Sequence, residues 1–91
     1  MAYCISYTNR FKKDLKRCAK RGLDISKIQV AVMLLQNSGS LPAEYRPHKL
    51  SGNFQNNWEC HITPDWLMVW EQNEEQLTLL FLMTGTHSDL F

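Results

Sequence analysis

Apolar and polar positions in the first part of the chain follow two different periods. Residues 3–8 alternate between apolar and polar side chains, which predicts a first β-strand. Apolar residues then recur every three or four positions over residues 11–19, which predicts an amphipathic helix with one face toward the core. We expect this helix to be capped by Thr8 or Asn9 and to end at Gly22.

A second helix is predicted from the same kind of spacing. Residues 25–35 carry apolar side chains on one helical face, and further apolar residues widen that face. The helix should begin directly after Asp24 or Ser26, either of which is a suitable N-cap, and end near residues 37–39. Because its apolar face is so wide, we expect this helix to be mostly buried.

The rest of the chain predicts a loop followed by three strands. Residues 38–57 contain the glycines, prolines and asparagines of a loop, within which residues 48–50 can form a short strand. Three stretches with strand character follow, separated by turns, at residues 58–63, 66–71 and 77–84. Because the last stretch is apolar on both faces, it is expected in the interior of the sheet.

Together these elements predict the α+β class. An N-terminal strand and two helices precede antiparallel strands that form a small twisted sheet, with the helices packed on one sheet face. A chain of 91 residues supports one modest core, so we expect a single domain over residues 1–91. The apolar runs are too short to span a bilayer, and the first residues lack the features of a signal peptide. We therefore expect a cytoplasmic protein without a membrane partner.

Three cysteines, Cys4, Cys18 and Cys60, form an odd number without a CxxC pair. We expect all three to be reduced, buried thiols. Cys60 is followed by His61, but neighbours on a strand point to opposite faces. The two side chains are therefore not expected to act as a catalytic pair.

Charge is distributed unevenly, although the net charge is only +1. Residues 10–21 contain seven basic side chains and one acid, whereas the remainder contains three basic side chains and eight acids. One basic helix on an acidic body is typical of a surface that binds nucleic acid or an acidic protein, and equally of a solvated helix face. The residues of this helix that we expect to bind substrate are Lys12, Lys13, Lys16, Arg17 and Lys20.

Three histidines and two carboxylates provide candidate chemistry. His48, His61 and His87 lie at predicted strand ends or loops rather than in a helical core face. Glu59 projects from the same strand face as His61, about 7 Å along it, and Asp65 lies at the following turn. With no serine or cysteine nucleophile in a recognisable motif, this set suits general acid–base catalysis on a substrate that carries its own nucleophile. RNA carries one in its 2′-hydroxyl group.

A metal site is the competing interpretation of the same histidines. Their intervals match none of the short paired spacings of structural zinc sites, so we expect no metal and no cofactor.

Among the aromatic residues, Trp66 and Trp70 can stack on bases, whereas Trp58 alternates with core residues. Phe91, at the C-terminus, is a further candidate for stacking on a base of the substrate.

Two strings of residues make the pattern more specific. Residues 59–66 read Glu-Cys-His-Ile-Thr-Pro-Asp-Trp, and residues 84–91 read Thr-Gly-Thr-His-Ser-Asp-Leu-Phe. Both strings resemble the YafQ branch of the RelE toxins, and the similarity extends over the whole chain. The resemblance implies a compact microbial-ribonuclease-like fold, ribosome-dependent cleavage of mRNA and neutralisation by a cognate antitoxin.

The resemblance also assigns roles to individual positions. Those that match the family's catalytic residues are His48, His61, Asp65 and His87. We expect His87 to act as the general acid, and either His48 or Asp65 to act as the general base. His61, in its cationic form, is expected to stabilise the negative charge of the phosphorane.

Two positions and one segment bear on substrate binding. Phe91 matches a C-terminal aromatic residue that helps to position the RNA. Glu59 stands where this branch of the family has an aspartate, so its carboxylate is shifted by a methylene group. Residues 54–58 lack the basic side chains of a close relative, which removes phosphate contacts near the site.

Two other functions fit the same chain. The related ParE-type toxins share the fold but inhibit DNA gyrase by contact, and the histidine trio separates them from the nucleases. A catalytically inactive relative or a simple DNA-binding partner is a third hypothesis, because basic residues are missing before Trp58.

Overall fold

The computed structural model describes residues 2–51 and 57–91. The elements within these residues, in chain order, are β1 Cys4–Tyr7, α1 Asn9–Lys20, α2 Ser26–Ser38, a 3-10 turn Ala43–Tyr45, β2 His48–Lys49, β3 Asn57–Thr63, β4 Trp66–Asn73, β5 Thr78–Gly85 and α3 His87–Leu90. Residues 54–56, which belong to the segment without basic side chains, lie outside the described residues. In the described part of the chain, no helix has the length and apolar character needed to cross a membrane.

The strands form one five-stranded sheet in the order β1-β5-β4-β3-β2. β1 runs parallel to β5, and the other neighbouring pairs are antiparallel. The predicted α+β class is therefore confirmed, with the N-terminal strand joining the sheet in parallel. β5 lies between β1 and β4, as its two apolar faces predict.

The caps of α1 are those that the sequence predicts, whereas the N-cap of α2 is Ile25, which makes no side-chain cap hydrogen bond. The Thr8 hydroxyl accepts a hydrogen bond at 3.0 Å from an amide in the first turn of α1, and Gly22, with a φ of 86°, follows the end of that helix. Before α2, the Asp24 carboxylate accepts a hydrogen bond from the Ser26 amide at 3.0 Å. Gly39, in the left-handed conformation, closes α2.

α1 and α2 cover one face of the sheet and enclose the main core. Phe11, Cys18 and Leu35 are the most deeply buried large side chains that these helices contribute. The buried sheet residues of the same core are Cys60, Trp66, Met68, Trp70, Leu79 and Phe81. Burial of each large apolar side chain stabilises the fold by about 1.5–3 kcal/mol.

A smaller apolar cluster lies on the opposite face of the sheet. It contains Leu67 and Val69 from β4, Met83 from β5 and Leu90 from α3. α3 is not among the elements predicted from the sequence, because four residues are too few to show a helical period. This second face of the sheet carries the candidate site.

Three expectations about exposure are wrong. α2 is not mostly buried, because it turns only one face to the sheet and leaves Val30 and Met33 50% and 58% exposed. Cys4 is exposed, because its side chain points away from the core on the edge strand β1. Trp66 and Trp70 are buried and pack in the core, so they are not available to stack on bases.

Thiol reactivity should distinguish Cys4 from the two buried cysteines. Burial raises the pKa of the Cys60 thiol to about 12 and also raises the pKa of Cys18, so neither forms a thiolate readily near neutral pH. We predict that a small thiol reagent labels the native protein once, at Cys4. The Cys4→Ser variant should stay unlabelled until denaturant exposes the other thiols, and rapid labelling of that native variant would contradict this arrangement.

Candidate active site

One cleft lies on the sheet face opposite α1 and α2. The strand register sets His48 beside Glu59 and His61 beside Leu67, and directly opposed residues share a face of the sheet. The cleft has a volume of about 730 Å³, and its lining residues are His48, Glu59, His61, Pro64, Asp65, Leu67, Thr86, His87 and Ser88. The four residues predicted to be catalytic therefore lie around a single cleft.

Acceptor atoms face both ring nitrogens of His48. Its Nε2 lies 3.2 Å from the Glu59 carboxylate, and its Nδ1 lies 3.0 Å from the Arg46 carbonyl oxygen. Because a carbonyl and a carboxylate only accept, both contacts are hydrogen bonds when the imidazole carries a hydrogen on each nitrogen. In that doubly protonated form the ring is a cation without a lone pair for removing a proton.

Glu59 lies against His48 and is largely withdrawn from solvent. Only 7% of the residue is exposed. A buried carboxylate needs a polar partner, and His48 supplies one. The sequence predicts that Glu59 binds substrate, which stays a prediction, while the observed contact links this carboxylate to the histidine.

The carbonyl that contacts His48 belongs to a residue with a left-handed backbone. Arg46 has a φ of 48° and a ψ of 53°, a conformation that costs an L-residue roughly 1–2 kcal/mol. It follows the 3-10 turn and directly precedes Pro47 and β2. Sequence reasoning missed this position, because no glycine marks it.

His61 lies near the end of β3, and Asp65 lies in the turn between β3 and β4. The Nδ1 of His61 is 3.4 Å from the Pro64 carbonyl oxygen, a long hydrogen bond that leaves Nε2 for other contacts. The ring centroids of His61 and His48 are 6.5 Å apart. Asp65 is exposed at the turn and lines the same cleft.

His87 reaches the cleft as the first residue of α3. Thr86 caps this helix: its hydroxyl accepts a hydrogen bond from the Asp89 amide at 3.2 Å, and the Asp89 carboxylate accepts one from the Thr86 amide at 2.9 Å. The His87 ring is exposed, and its centroid lies 5.5 Å from that of Phe91. The aromatic residue predicted to stack on a base is therefore next to the predicted general acid.

Charged residues connect α3 to α1. Arg21 donates two hydrogen bonds to the Asp89 carboxylate, at 2.5 Å and 3.1 Å. Arg10 donates one to the Asp89 carbonyl at 3.3 Å. Sequence reasoning missed these residues, although the spacing from Thr86 to Asp89 is that of a capping box and is a usable signal.

The basic side chains of α1 separate into two groups. Arg10 and Arg17 lie 3.4 Å and 3.1 Å from the buried carboxylate of Asp14. Arg17, which the sequence predicts to bind substrate, is therefore paired with an acidic residue of the same helix. The exposed lysines, which we call the lysine surface, are Lys12, Lys13, Lys16 and Lys20. The described lining of the cleft includes none of them, so the lysine surface is separate from the candidate active site.

Metal ligation is the alternative use of these side chains. Within residues 2–51 and 57–91, no group of three or more histidine, cysteine, aspartate or glutamate side chains is arranged to hold a metal ion. What the cleft brings together is a set of imidazoles and carboxylates suited to moving protons.

Comparison with known proteins identifies the family of this chain. The family model described as a bacterial toxin of type II toxin–antitoxin systems, YafQ, matches residues 3–91. The chain belongs to the YafQ toxin family. A member from Escherichia coli K12, the mRNA interferase toxin YafQ, is 34% identical over 88 residues, which cover 96% of this chain and 94% of that protein.

Solved structures related to YafQ share the fold. A chain of the E. coli DinJ–YafQ toxin–antitoxin complex has a TM-score of 0.90 and 34% identity, and the match covers 100% of this chain and 99% of that one. A metal-bound toxin from Helicobacter pylori has a TM-score of 0.88 and 34% identity, with both chains covered completely. The YafQ-like fold that the resemblance implies is therefore confirmed.

The anchoring of α3 in this YafQ-family toxin should make its stability depend on pH. Hydrogen bonds from the Arg21 side chain and the Thr86 amide hold the pKa of Asp89 well below its usual range. A depressed carboxylate pKa stabilises the fold above the unfolded-state value of about 4, and this stabilisation is lost as the pH falls toward the folded-state value. We predict that Asp89→Asn has a lower Tm than the wild type near neutral pH. The difference in Tm between the two proteins should become smaller below about pH 4.

The partner residue provides the matched control. Arg21→Gln removes the same contact from the other side and should show a similar gap in Tm that depends on pH. The double variant should lose less stability than the two single variants lose together, because the two side chains share one interaction. If the difference in Tm between each variant and the wild type stays constant from neutral to acid pH, the stabilisation does not depend on the ionisation of Asp89.

Proposed function

We propose that this chain is an endoribonuclease, an mRNA interferase that cuts messenger RNA on the ribosome and thereby blocks translation. The observation that carries the proposal is the set of four side chains around one cleft, namely His48, His61, Asp65 and His87. Similarity to the E. coli mRNA interferase toxin YafQ supports the class of substrate.

The reaction uses a nucleophile that belongs to the RNA. The 2′-oxygen attacks the adjacent phosphorus in line with the 5′-oxygen of the next nucleotide. A 2′,3′-cyclic phosphate forms as the bond from phosphorus to that 5′-oxygen breaks. Asp65 accepts the proton of the 2′-hydroxyl, and His87 donates a proton to the departing 5′-oxygen.

The contacts of His48 favour Asp65 over His48 as the base. Both ring nitrogens of His48 face acceptors of the protein, so neither is directed at the 2′-hydroxyl, and in its cationic form His48 stabilises the phosphorane. His61, whose Nδ1 is held by the Pro64 carbonyl, directs its Nε2 to a non-bridging phosphate oxygen. Acid, base and positive charge all come from the chain, so the scheme needs no metal or cofactor.

The gyrase-binding alternative requires a protein contact surface and no acid–base site. Gyrase binding does not explain why three histidines line the same cleft. The nuclease is therefore the better supported of the two functions.

We also propose that the chain acts in the cytoplasm, as one domain over residues 1–91, and binds a cognate antitoxin. The similarity to a chain of the DinJ–YafQ complex supports such a partner. An apolar groove between α1 and α2 includes Tyr7, Leu15 and Met33 in its lining, and Lys12 of the lysine surface belongs to it as well. An amphipathic acidic segment of an antitoxin fits this combination, with apolar side chains in the groove and carboxylates toward the lysines.

His87→Ala is predicted to abolish mRNA cleavage and growth arrest while leaving the fold intact. The His87 side chain is exposed, so little packing depends on it. Loss of a general acid typically lowers a rate by ~10²–10⁴. Single-turnover cleavage on programmed ribosomes measures the reaction, and thermal melts and antitoxin pull-down measure folding and partner binding.

His48→Ala serves as the comparison, because it keeps the acid and base and removes the proposed cation, which is also the polar partner of Glu59. It should also slow cleavage without changing the cleavage position on the mRNA. Full cleavage by His87→Ala would overturn the mechanism. So would stoichiometric zinc or copper in the purified wild type that is lost from the His48 variant.

Charge reversal of the lysine surface should weaken binding to the ribosome or the antitoxin. Replacing Lys12, Lys16 and Lys20 by glutamate turns attraction to phosphates or acidic side chains into repulsion, and salt screens this effect. The loss of affinity should therefore be largest at low ionic strength. Lys27→Glu, an exposed change on α2 outside the surface, is the control. If the triple variant keeps wild-type affinity for both partners, these lysines form only a solvated helix face.

A further inference from the structure

A four-residue helix does not hold its own position. Isolated helices shorter than about 12–15 residues are marginal in water, and α3 comprises only His87–Leu90. Its placement therefore depends on contacts with the rest of the chain. On one side Leu90, which is 8% exposed, packs with Leu67, Val69 and Met83 in the small apolar cluster.

On the other side, α3 is held by Arg21, the residue directly after α1. The Arg21 guanidinium contacts both carboxylate oxygens of Asp89, and such two-point contacts restrict direction as well as distance. The same carboxylate accepts the Thr86 amide hydrogen, and Thr86 is the residue directly before His87. The contact with Arg21 is therefore one hydrogen bond away from the backbone that carries the imidazole.

The chain at the end of β5 passes close to the Asp89 side chain. A Cβ atom at Gly85 would lie 2.8 Å from an Asp89 carboxylate oxygen and 3.1 Å from an Arg17 guanidinium nitrogen. Only a residue without a side chain leaves that space to the carboxylate. The path from β5 into α3 thus depends on the position that Asp89 takes.

We propose that Arg21 is a positioning residue for the cleavage reaction: acting through Asp89, it fixes α3 so that the His87 imidazole meets the departing 5′-oxygen. The inference rests on the proposed function, in which His87 is the general acid. Arg21 itself does not line the described cleft, so its effect on the reaction is indirect. It should therefore act on the rate of the chemical step rather than on the binding of ribosomes.

The first test measures single-turnover cleavage on programmed ribosomes over a range of ribosome concentrations. A misplacement near 1 Å can cost about 10²-fold in rate. We expect Arg21→Gln to lower the maximal rate constant by about 10- to 100-fold and to leave the half-saturating ribosome concentration close to the wild-type value. Arg21→Lys, which keeps the charge but not the two-point contact, should recover part of the lost rate.

Two variants separate this effect from a general loss of positive charge. Lys20→Gln removes a neighbouring cation of the lysine surface and should change the half-saturating concentration rather than the maximal rate. Lys27→Gln removes an exposed cation on α2 and should change neither. If Arg21→Gln behaves like either of these variants, the inference is overturned.

The second test is independent of cleavage and uses NMR of the His87 ring protons. In the wild type the His87 and Phe91 rings lie close together, so the ring current of Phe91 shifts these resonances. We expect them to move toward random-coil values in Arg21→Gln and in Asp89→Asn, whereas the core methyl resonances stay in place. Asp89→Asn keeps an acceptor for the Thr86 amide, so its cap can still form.

The two tests distinguish failure of the inference from failure of the proposed function. A wild-type protein that cleaves no mRNA on ribosomes refutes the function, and the NMR result then stands by itself. Unchanged His87 resonances in both variants overturn the inference whether or not the chain is a nuclease. Shifted resonances with a wild-type cleavage rate also overturn it, because Arg21 would then hold α3 without serving the reaction.

Discussion

The pleat of β3 separates the hydrophobic core from the cleft. Cys60 is fully buried in the main core, whereas its two neighbours, Glu59 and His61, line the cleft on the other face. Pairing with β4 continues this division, because Glu59 is opposite Val69 and His61 is opposite Leu67. A shift of one residue in the register would move a carboxylate and an imidazole into apolar surroundings, at a cost of several kcal/mol. Packing of the core and construction of the site therefore depend on the same alternation.

A buried polar contact between α1 and β5 connects the helical layer to the site. Asp14 accepts a hydrogen bond from the Thr84 amide at 3.1 Å. The Thr84 hydroxyl accepts one from the Trp66 indole at 2.8 Å and donates one to the Leu67 carbonyl at 2.6 Å. Such groups are stable in the interior only when they are paired, and two arginines of α1 complete the pairing of Asp14. Because His87 follows three residues after Thr84, these bonds also define where the chain leaves the sheet.

The cations of α1 have different partners although they look alike in the sequence. The arginines in α1 and directly after it contact acids of the same chain, including Asp14 and Asp89, and connect the helix to β5 and α3. The lysines remain exposed on the surface. The division follows side-chain chemistry, since the planar guanidinium makes the two-point contacts that fix a carboxylate, whereas an ammonium group is a strongly hydrated point charge. The excess positive charge available to a partner is therefore carried mainly by lysine.

Local chemistry in the sequence was enough to determine most elements and the grouping of the site. Caps such as Thr8 and Gly22 act within a few residues, and the alternation in β3 directly predicts that Glu59 and His61 share a face. The position of His87 at the end of the central strand was also predicted from the order of the elements, whereas its match to a catalytic position came from the family strings.

Tertiary structure alone decided which apolar residues of α2 remain exposed, which acceptors surround His48 and how α3 is anchored. Arg21 and Asp89 are 68 positions apart, and the carbonyl that contacts His48 belongs to an arginine with an unexpected left-handed backbone. Such contacts form only when the packing of distant elements sets the separation of their side chains, and no short-range period in the sequence records that separation.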